Sequence, residues 1–403
     1  MMPPKTINGL EQNRLMSEGN GETQCVVFAG DYCLARRALG KYNATIVKKF
    51  PFISAYGVLI NVFCLEDLKK MPCIREVCAN SKVTVERLPR FFKVTASEGA
   101  ADKKTAVNSL PLHGYYDRYS TNYPVNMPLM RRLYRENKQM RRYDSPSVAF
   151  IDTGFSAPLD FYLPRKRIKA FVDFVNGEET SYDDNGHGTA VGCLIACDGR
   201  FTAGSREGTA AGADIVALKA IEQGGSGSIF RILEAMQWVY DHAPEYKIKA
   251  LCMSLGGKAE EGRDPLCEAS AALWKKGVTV VASAGNSGGD GVTSPGCCGR
   301  IITVGSAEQN DEGKIVRSPF SSYSEELSKP EICTDGSAVA CVGVDGGKVL
   351  LSGTSISAPI ITGICYDIIR ANPGIAPDAV KRLLISRAEY IGEKGTGFGY
   401  IRT

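Results

Sequence analysis

Short apolar runs recur along the second half of the chain, separated by polar and glycine-containing stretches. Most are nearly continuous rather than alternating, which predicts strands covered on both faces. Between some of these strands lie amphipathic segments, Ile229 to Tyr240 and Leu266 to Lys276, which are typical of covering helices. Strands alternating with helices predict an α/β fold with a doubly wound, mostly parallel sheet. The predicted strands are 148–151, 168–174, 215–218, 250–255, 278–283 and 301–304.

The first hundred residues carry a second, smaller pattern. Strand-like and helix-like segments alternate there, and Pro51 and Gly57 divide the longest segment into two strands. The order β-α-β-β-α-β predicts a small α+β domain of the ferredoxin-like kind, with two helices on one face of an antiparallel sheet. The segments are 24–28, 34–42, 45–63, 65–71 and 74–85.

From about 95 to 143 the periodicity is lost in polar sequence rich in glycine, proline and tyrosine, which predicts a linker or wrapping segment. Its basic end, 131–142, fits a solvated helix face better than a nucleic-acid contact. We therefore divide the chain into four parts. They are a flexible amino terminus (1–23), a small domain (24–95), a linker (96–145) and a large domain (146–403).

The composition mainly excludes some classes of protein. The chain has 403 residues, 44% hydrophobic and 23% charged, which is ordinary for a folded protein. A net charge of +4 gives no reason to expect a nucleic-acid partner. The amino terminus lacks the apolar run of a secretory signal, and no stretch approaches the roughly 20 apolar residues of a membrane helix. We expect a cytoplasmic protein without a membrane or nucleic-acid partner.

The chain contains fourteen cysteines, which show no repeated spacing and no pairing with the three histidines at ligand distance, so no metal site is predicted. Cys193 and Cys197 lie four apart on a predicted helix, and Cys297 and Cys298 are adjacent. We interpret both pairs as buried, reduced thiols, in keeping with a cytoplasmic location.

Three short strings carry the candidate chemistry. Asp152 ends the first strand of the large domain, His187 stands between two glycines, and Ser355 precedes a long apolar segment. A carboxylate, an imidazole and a hydroxyl can form a serine nucleophile with its base and the acid that orients the base. Each residue alone has a simpler interpretation, as a turn aspartate, a structural histidine or a helix N-cap.

A fourth residue favours the catalytic interpretation. Asn286 follows a buried strand and lies among glycines, where it is either a left-handed turn residue or an amide donor to an oxyanion. The backbone N–H of Ser355, at the start of the predicted helix, is a second candidate donor. Asp152, His187, Asn286 and Ser355 thus form one candidate site at the carboxyl ends of parallel strands.

In this order of residues the chain resembles the subtilisin-like serine proteases, the subtilases, over about 147–387. The strings 183–189 and 352–355 are close to motifs of that family. The resemblance implies two walls that bind a polypeptide substrate as an added β-strand. The implied substrate-binding residues are Gly225, Ser226, Gly227, Ser254, Leu255, Gly256, Ala284 and Gly285.

The chain departs from the family pattern at three places. Ala190 stands where a second histidine is frequent, Ile356-Ser357 replaces Met-Ala, and 329–336 lacks a common Ala-Pro. None of these positions supplies a proton-transfer group, but they weaken any transfer of substrate preference or calcium ligands. We therefore assign no metal residues, although a structural calcium ion is common in the family.

The resemblance also implies that the small domain is a propeptide, which assists folding and then acts as an intramolecular inhibitor until cleavage within 97–109 releases it. The implied function is a serine endopeptidase made as a self-processing zymogen, with no cofactor required for the chemistry. Two alternatives remain open. One is a catalytically silent binding protein of the subtilase fold, and the other is an esterase that uses the same triad.

Overall fold

The structure is a computed structural model that describes residues 21–85, 92–93, 145–202, 207–260 and 262–403. The small domain contains four strands that form an antiparallel sheet in the order β2-β3-β1-β4, so the predicted ferredoxin-like order is confirmed. Its elements are β1 (Glu22–Ala29), α1 (Tyr32–Lys41), β2 (Thr45–Phe50), β3 (Ala55–Asn61), α2 (Leu65–Lys69) and β4 (Ile74–Ala79).

The two faces of this sheet have different partners, as the period-two alternation of a strand requires. Val27 and Tyr56 belong to the small domain's own core, whereas Phe28 and Phe50 belong to the core shared with the large domain. Gly57 lies within β3 and not at the turn that we predicted from the sequence. A Cβ on Gly57 would stand 3.1 Å from the Phe230 ring, so glycine permits the close approach of β3 to Phe230 of the large domain.

The predicted strand 74–85 is two strands in different sheets. β4 ends at Ala79, and β5 (Lys82–Thr84) pairs with strands of the large domain. The break occurs at Asn80, whose side chain donates to Gln24 Oε1 (2.7 Å) and accepts from Phe230 N (3.0 Å). These bonds redirect the chain out of the small domain, a tertiary effect that local pattern does not show. A two-residue strand, β6 (Phe92–Lys93), follows.

The large domain is built on a sheet in the order β15-β14-β13-β11-β7-β9-β8, with β16 also paired to β14. All pairs are parallel except that between β14 and β15, so the predicted mostly parallel sheet is confirmed. Its elements are β7 (Ser147–Asp152), β8 (Ile168–Asp173), α3 (His187–Ala196), β9 (Asp214–Lys219), β10 (Ser226–Ser228), α4 (Ile229–Tyr246), β11 (Ile248–Met253), β12 (Gly256–Gly257), α5 (Pro265–Lys275), β13 (Thr279–Ser283), β14 (Ile302–Gln309), β15 (Ile315–Arg317), β16 (Ile332–Asp335), β17 (Val339–Val342), β18 (Lys348–Leu351), α6 (Thr354–Ala371) and α7 (Pro377–Ile385).

Two helix pairs cover the central strands. Helices α3 and α6 pack together, as do α4 and α5, and each pair contacts the sheet. From β7 the chain passes to the edge strand β8 and returns through β9, and it then continues on the other side of β7 through β11 and β13. Sheets with such a change of direction bind ligands in the crevice at the carboxyl ends of the strands where it occurs. None of the helices in the described ranges is long and apolar enough to cross a membrane.

Our interpretation of Cys298 as a reduced thiol is wrong, because the structure joins it to Cys267 in a disulfide. Cys267 lies in the first turn of α5, and Asp264 caps this helix while accepting a hydrogen bond from Ser294 Oγ (2.8 Å). That contact helps to bring together two cysteines that are 31 residues apart in sequence, which spacing alone does not reveal. Cys193 and Cys197 are buried free thiols, as predicted.

Candidate active site

Asp152 and His187 are hydrogen-bonded in the crevice, although they lie 35 residues apart in the chain. The distance from His187 Nδ1 to Asp152 Oδ1 is 2.7 Å, and both side chains are buried. Asp152 Oδ1 also accepts from Thr153 N at 2.7 Å, which fixes the carboxylate at the end of β7. The geometry suits a carboxylate that holds an imidazole in one tautomer and orientation.

Asp183 anchors the segment that presents His187. Its Oδ1 accepts from Gly186 N (2.9 Å) and Thr153 Oγ1 (2.9 Å), and its Oδ2 accepts from Thr189 N (2.8 Å) and Thr189 Oγ1 (2.7 Å). A carboxylate that accepts from the first N–H groups of a helix caps it and complements its dipole. Asp183 therefore fixes the start of α3 relative to the turn after Asp152.

Ser355 lies in the first turn of α6 and is fully buried. Gly353 precedes the helix with φ +151°, and the Ser355 carbonyl accepts from Ser254 Oγ at 2.8 Å. Within the described residues Ser355 Oγ has no hydrogen-bond partner. Serine–histidine hydrogen bonds are often long before substrate binds, so this arrangement is compatible with a nucleophile.

Asn286 lies beside Ser355. Its Oδ1 accepts from Thr354 N (2.9 Å) and from Thr354 Oγ1 (3.1 Å), so the amide nitrogen points away from these donors. A Cβ placed on Gly353 would stand 3.0 Å from Ser355 Oγ and 3.1 Å from Asn286 Nδ2. The glycine thus keeps open a space that borders both the hydroxyl and the amide donor.

The two predicted walls are short strands, and β5 of the small domain lies between them. The sheet order is β10-β5-β12, and both pairs are antiparallel. Gly227 and Gly257 both pair with Val83, and Val85 N donates to Gly225 O at 3.0 Å. An extended segment thus lies where the sequence predicts an added substrate strand.

The remaining predicted residues contribute backbone and support. Ser226 pairs with Thr84 in β10, and Leu255 is buried ahead of β12. Ala284 and Gly285 are buried just beyond β13, where Gly285 N donates to Thr354 Oγ1 at 3.1 Å. A Cβ on Gly256 would stand 2.4 Å from Thr293 Oγ1, so only glycine fits this wall without displacing its neighbour.

Lys219 is a residue of this site that the sequence did not reveal, and it is fully buried at the end of β9 beside Asp152. Its Nζ lies 2.7 Å from Asp184 Oδ1. The sequence feature that could have revealed Lys219 is its position directly after an apolar run, at the end of a strand beside the candidate site.

Comparison with known proteins places the large domain in one family. Residues 144–400 match the model of the Subtilase family. The chain is 33% identical over 267 residues to Serine protease AprX from Bacillus subtilis (strain 168), which covers 59% of this chain and 60% of AprX. It is 30% identical over 276 residues to Subtilisin DY from Bacillus licheniformis, covering 67% of this chain and 93% of that protein.

A solved structure extends the likeness of fold to nearly the whole chain. Fervidolysin from Fervidobacterium pennivorans aligns with a TM-score of 0.69 at 19% sequence identity, covering 99% of this chain. The chain spans about three fifths of the length of AprX (60%) and of fervidolysin (62%). The family match includes all four residues of the candidate site, and the chain belongs to the subtilase family.

Proposed function

We propose that this protein is a serine endopeptidase in which Ser355 is the nucleophile, His187 the general base and Asp152 the acid that orients the base. The observation that carries the proposal is the buried 2.7 Å hydrogen bond between His187 and Asp152, in a chain that belongs to the subtilase family. The protease relatives AprX and Subtilisin DY support the same reaction class.

In the proposed mechanism, Ser355 Oγ attacks the carbonyl carbon of the scissile peptide bond while His187 Nε2 takes the hydroxyl proton. Asp152 holds Nδ1–H, which leaves Nε2 as the basic nitrogen and stabilises the imidazolium. Asn286 Nδ2 and the backbone N–H of Ser355 donate to the oxyanion. The intermediate then expels the amine, which takes the proton from His187, and water hydrolyses the acyl-enzyme by the reverse proton path.

The proposed substrates are polypeptides that bind between β10 and β12 as an added strand. The support is β5, an extended segment that forms backbone pairs with both walls. Such pairing recognises the peptide backbone, which a simple ester lacks.

We further propose that the small domain is an intramolecular inhibitor and that the protein is a self-processing zymogen. One face of its sheet joins the core of the large domain, and β5 fills the cleft. Because β5 occupies the walls up to Val85 and β6 pairs with β18, we place the first cleavage between Val85 and Phe92. The segment 97–109, where the sequence suggested cleavage, lies outside the described residues.

The proposal includes neither a calcium site nor a cellular location. In the part of the chain that the structure describes, one group of three side chains of metal-ligating type lies close together, Cys267, Cys297 and Cys298, but two of them are joined in the disulfide. Calcium prefers oxygen ligands, so these sulfur atoms do not fit it. Because the structure contains a disulfide, the cysteines no longer favour a reducing compartment. A cytoplasmic location stays a prediction.

The experiment that tests the proposal compares purified wild-type protein with Ser355→Ala. Wild type is expected to lose its small domain, with a new amino terminus between Val85 and Phe92, and then to cleave peptides with far higher kcat/KM than simple esters. Ser355→Ala is expected to stay intact and inactive. Identical intact products would favour a silent binding protein, and cleavage of esters alone would favour an esterase.

A further inference from the structure

Lys219 makes three polar contacts that join the segments on either side of the acid–base pair. Its Nζ donates to the carbonyl of Thr153, the residue after Asp152, and to Asp184 Oδ1 at 2.7 Å. The third contact is the carbonyl of Ile221 at 3.1 Å. An ammonium has three N–H donors, so every donor of this buried group has an acceptor.

These contacts connect the turn after Asp152 to the loop before His187 through Lys219 at the end of β9. β7 and β9 pair in register, with Asp152 opposite Lys219, and the Asp152 carbonyl accepts from Ala220 N and Ile221 N. Asp184 lies three residues before His187 in the loop that leads into α3. Lys219, at the carboxyl end of β9, therefore links the turn after Asp152 to the loop before His187.

Several carboxylates lie near the imidazole, and Lys219 is a cation that balances their negative charge. Asp152 contacts His187, and Asp183 and Asp184 lie in the loop before it. The Tyr182 ring lies 5.1 Å from Lys219 Nζ. On β11, burial raises the pKa of Cys252 to about 12, so this thiol adds no charge near neutral pH. Lys219 brings a positive charge to this group of carboxylates.

We propose that Lys219 is a positioning residue of the catalytic site, which holds the Thr153 turn against the loop before His187 and balances the carboxylates near the imidazole. This inference rests on the proposed serine protease function. A residue that only stabilises the fold would leave the protonation of His187 unchanged. Lys219 acts on it through charge, and replacing Lys219 or Asp184 changes that charge in opposite senses.

The test titrates His187 by NMR in histidine-labelled, full-length Ser355→Ala protein, where only three histidines contribute signals. Adding Lys219→Met is expected to raise the pKa of His187 by about 0.5 to 1 unit, because a nearby cation is lost. Adding Asp184→Asn is expected to lower it, because the lysine charge is then uncompensated. The asparagine preserves side-chain shape, so this variant tests the proposal even if Lys219→Met folds poorly.

The matched control is Lys329→Met, which removes another buried lysine, one whose partner is Glu331. It is expected to lower stability without moving the pKa of His187. With Ser355 restored, Lys219→Met should lower kcat for a peptide about 10- to 100-fold with little change in KM, and Lys219→Arg should recover part of the loss.

Unchanged His187 titration in whichever of Lys219→Met and Asp184→Asn folds would overturn the proposal, as would an equal shift in the control. The NMR readout needs no activity, so it separates this inference from the protease function. Inert wild-type protein would refute that function without deciding the electrostatic role of Lys219.

Discussion

Val83 of the small domain lies opposite Gly227 on one side and Gly257 on the other, as part of the middle strand of a three-stranded sheet. Its side chain is fully buried, and that of Val85, two residues later, is 5% exposed. Lys82, by contrast, is exposed. Alternate side chains of a strand share a face, so this strand directs two valines into the cleft.

The same positions should define substrate preference. Peptides with valine at the positions equivalent to Val83 and Val85 are expected to have kcat/KM at least about tenfold above peptides with aspartate there, because burial of an unpaired carboxylate is costly. Changing the residue equivalent to Lys82 should have little effect. The measurement is a set of matched fluorogenic peptides, and equal rates for valine and aspartate would contradict the assignment of the cleft.

Asn286→Ala should reduce kcat by about 10² to 10³-fold, the typical effect of losing one oxyanion donor, with a smaller change in KM. The hydrogen bonds to Thr354 are also lost, so the melting temperature is measured alongside the rate. Asn372→Ala is the matched control, because this residue caps α6 at its far end. Equal turnover of both variants would exclude an oxyanion role.

Asp152→Asn should reduce kcat by about 10⁴-fold, the effect expected when the base loses the partner that sets its tautomer. The measurement is steady-state kinetics of each variant after an added, separable protease has removed its small domain. Asp160→Asn replaces another fully buried aspartate, one that accepts from Phe201 N, and serves as the control. A loss of similar size in both variants would point to folding rather than catalysis.

Much of this architecture could be predicted because its strands are buried on both faces. The apolar runs at 148–151 and 215–218 gave β7 and β9 within one residue at each end. The short strands β15 to β18 and helix α7 were not predicted, because their burial depends on tertiary contacts. Lys219 was missed for a related reason, since its three acceptors come from segments that only the folded chain brings together.

Glu234 should give a pH dependence of stability. Burial raises its pKa, and the ion pair with Lys48 of the small domain offsets this only in part. A carboxyl with a raised folded-state pKa stabilises the fold fully below its unfolded pKa, about 4.3, and loses that contribution as pH rises through the folded value. The melting temperature of Glu234→Gln minus that of its parent should therefore increase as pH rises from about 4 to 7.

Calorimetry of full-length protein in the Ser355→Ala background measures this difference without autolysis. Glu222→Gln is the control, because Glu222 is 51% exposed and pairs with Arg231 at the surface. A difference between Glu234→Gln and its parent that is constant with pH, or falls as pH rises, would contradict the assignment.

The three clustered cysteines should respond unequally to substitution. Cys267→Ser removes the disulfide, which joins residues 31 apart in sequence, and should destabilise the protein by about 3.7 kcal/mol from the loop that it closes. Cys298→Ser should cost less, because Cys297 Sγ lies 3.8 Å from Cys267 Sγ and can form the alternative bond. Melting temperatures and mass mapping without reductant test this. Equal losses with no Cys267–Cys297 bond would contradict the expectation.

Covalent labelling of the processed wild-type protein with a fluorophosphonate, followed by peptide mass mapping, tests directly whether Ser355 is the nucleophile. We expect one modified residue, Ser355, and no labelling of Ser355→Ala. In His187→Ala, after an added protease has removed its small domain, labelling should be greatly slowed. Absence of label from the processed wild-type protein, or label on a different serine, would contradict the assignment of Ser355 as the nucleophile.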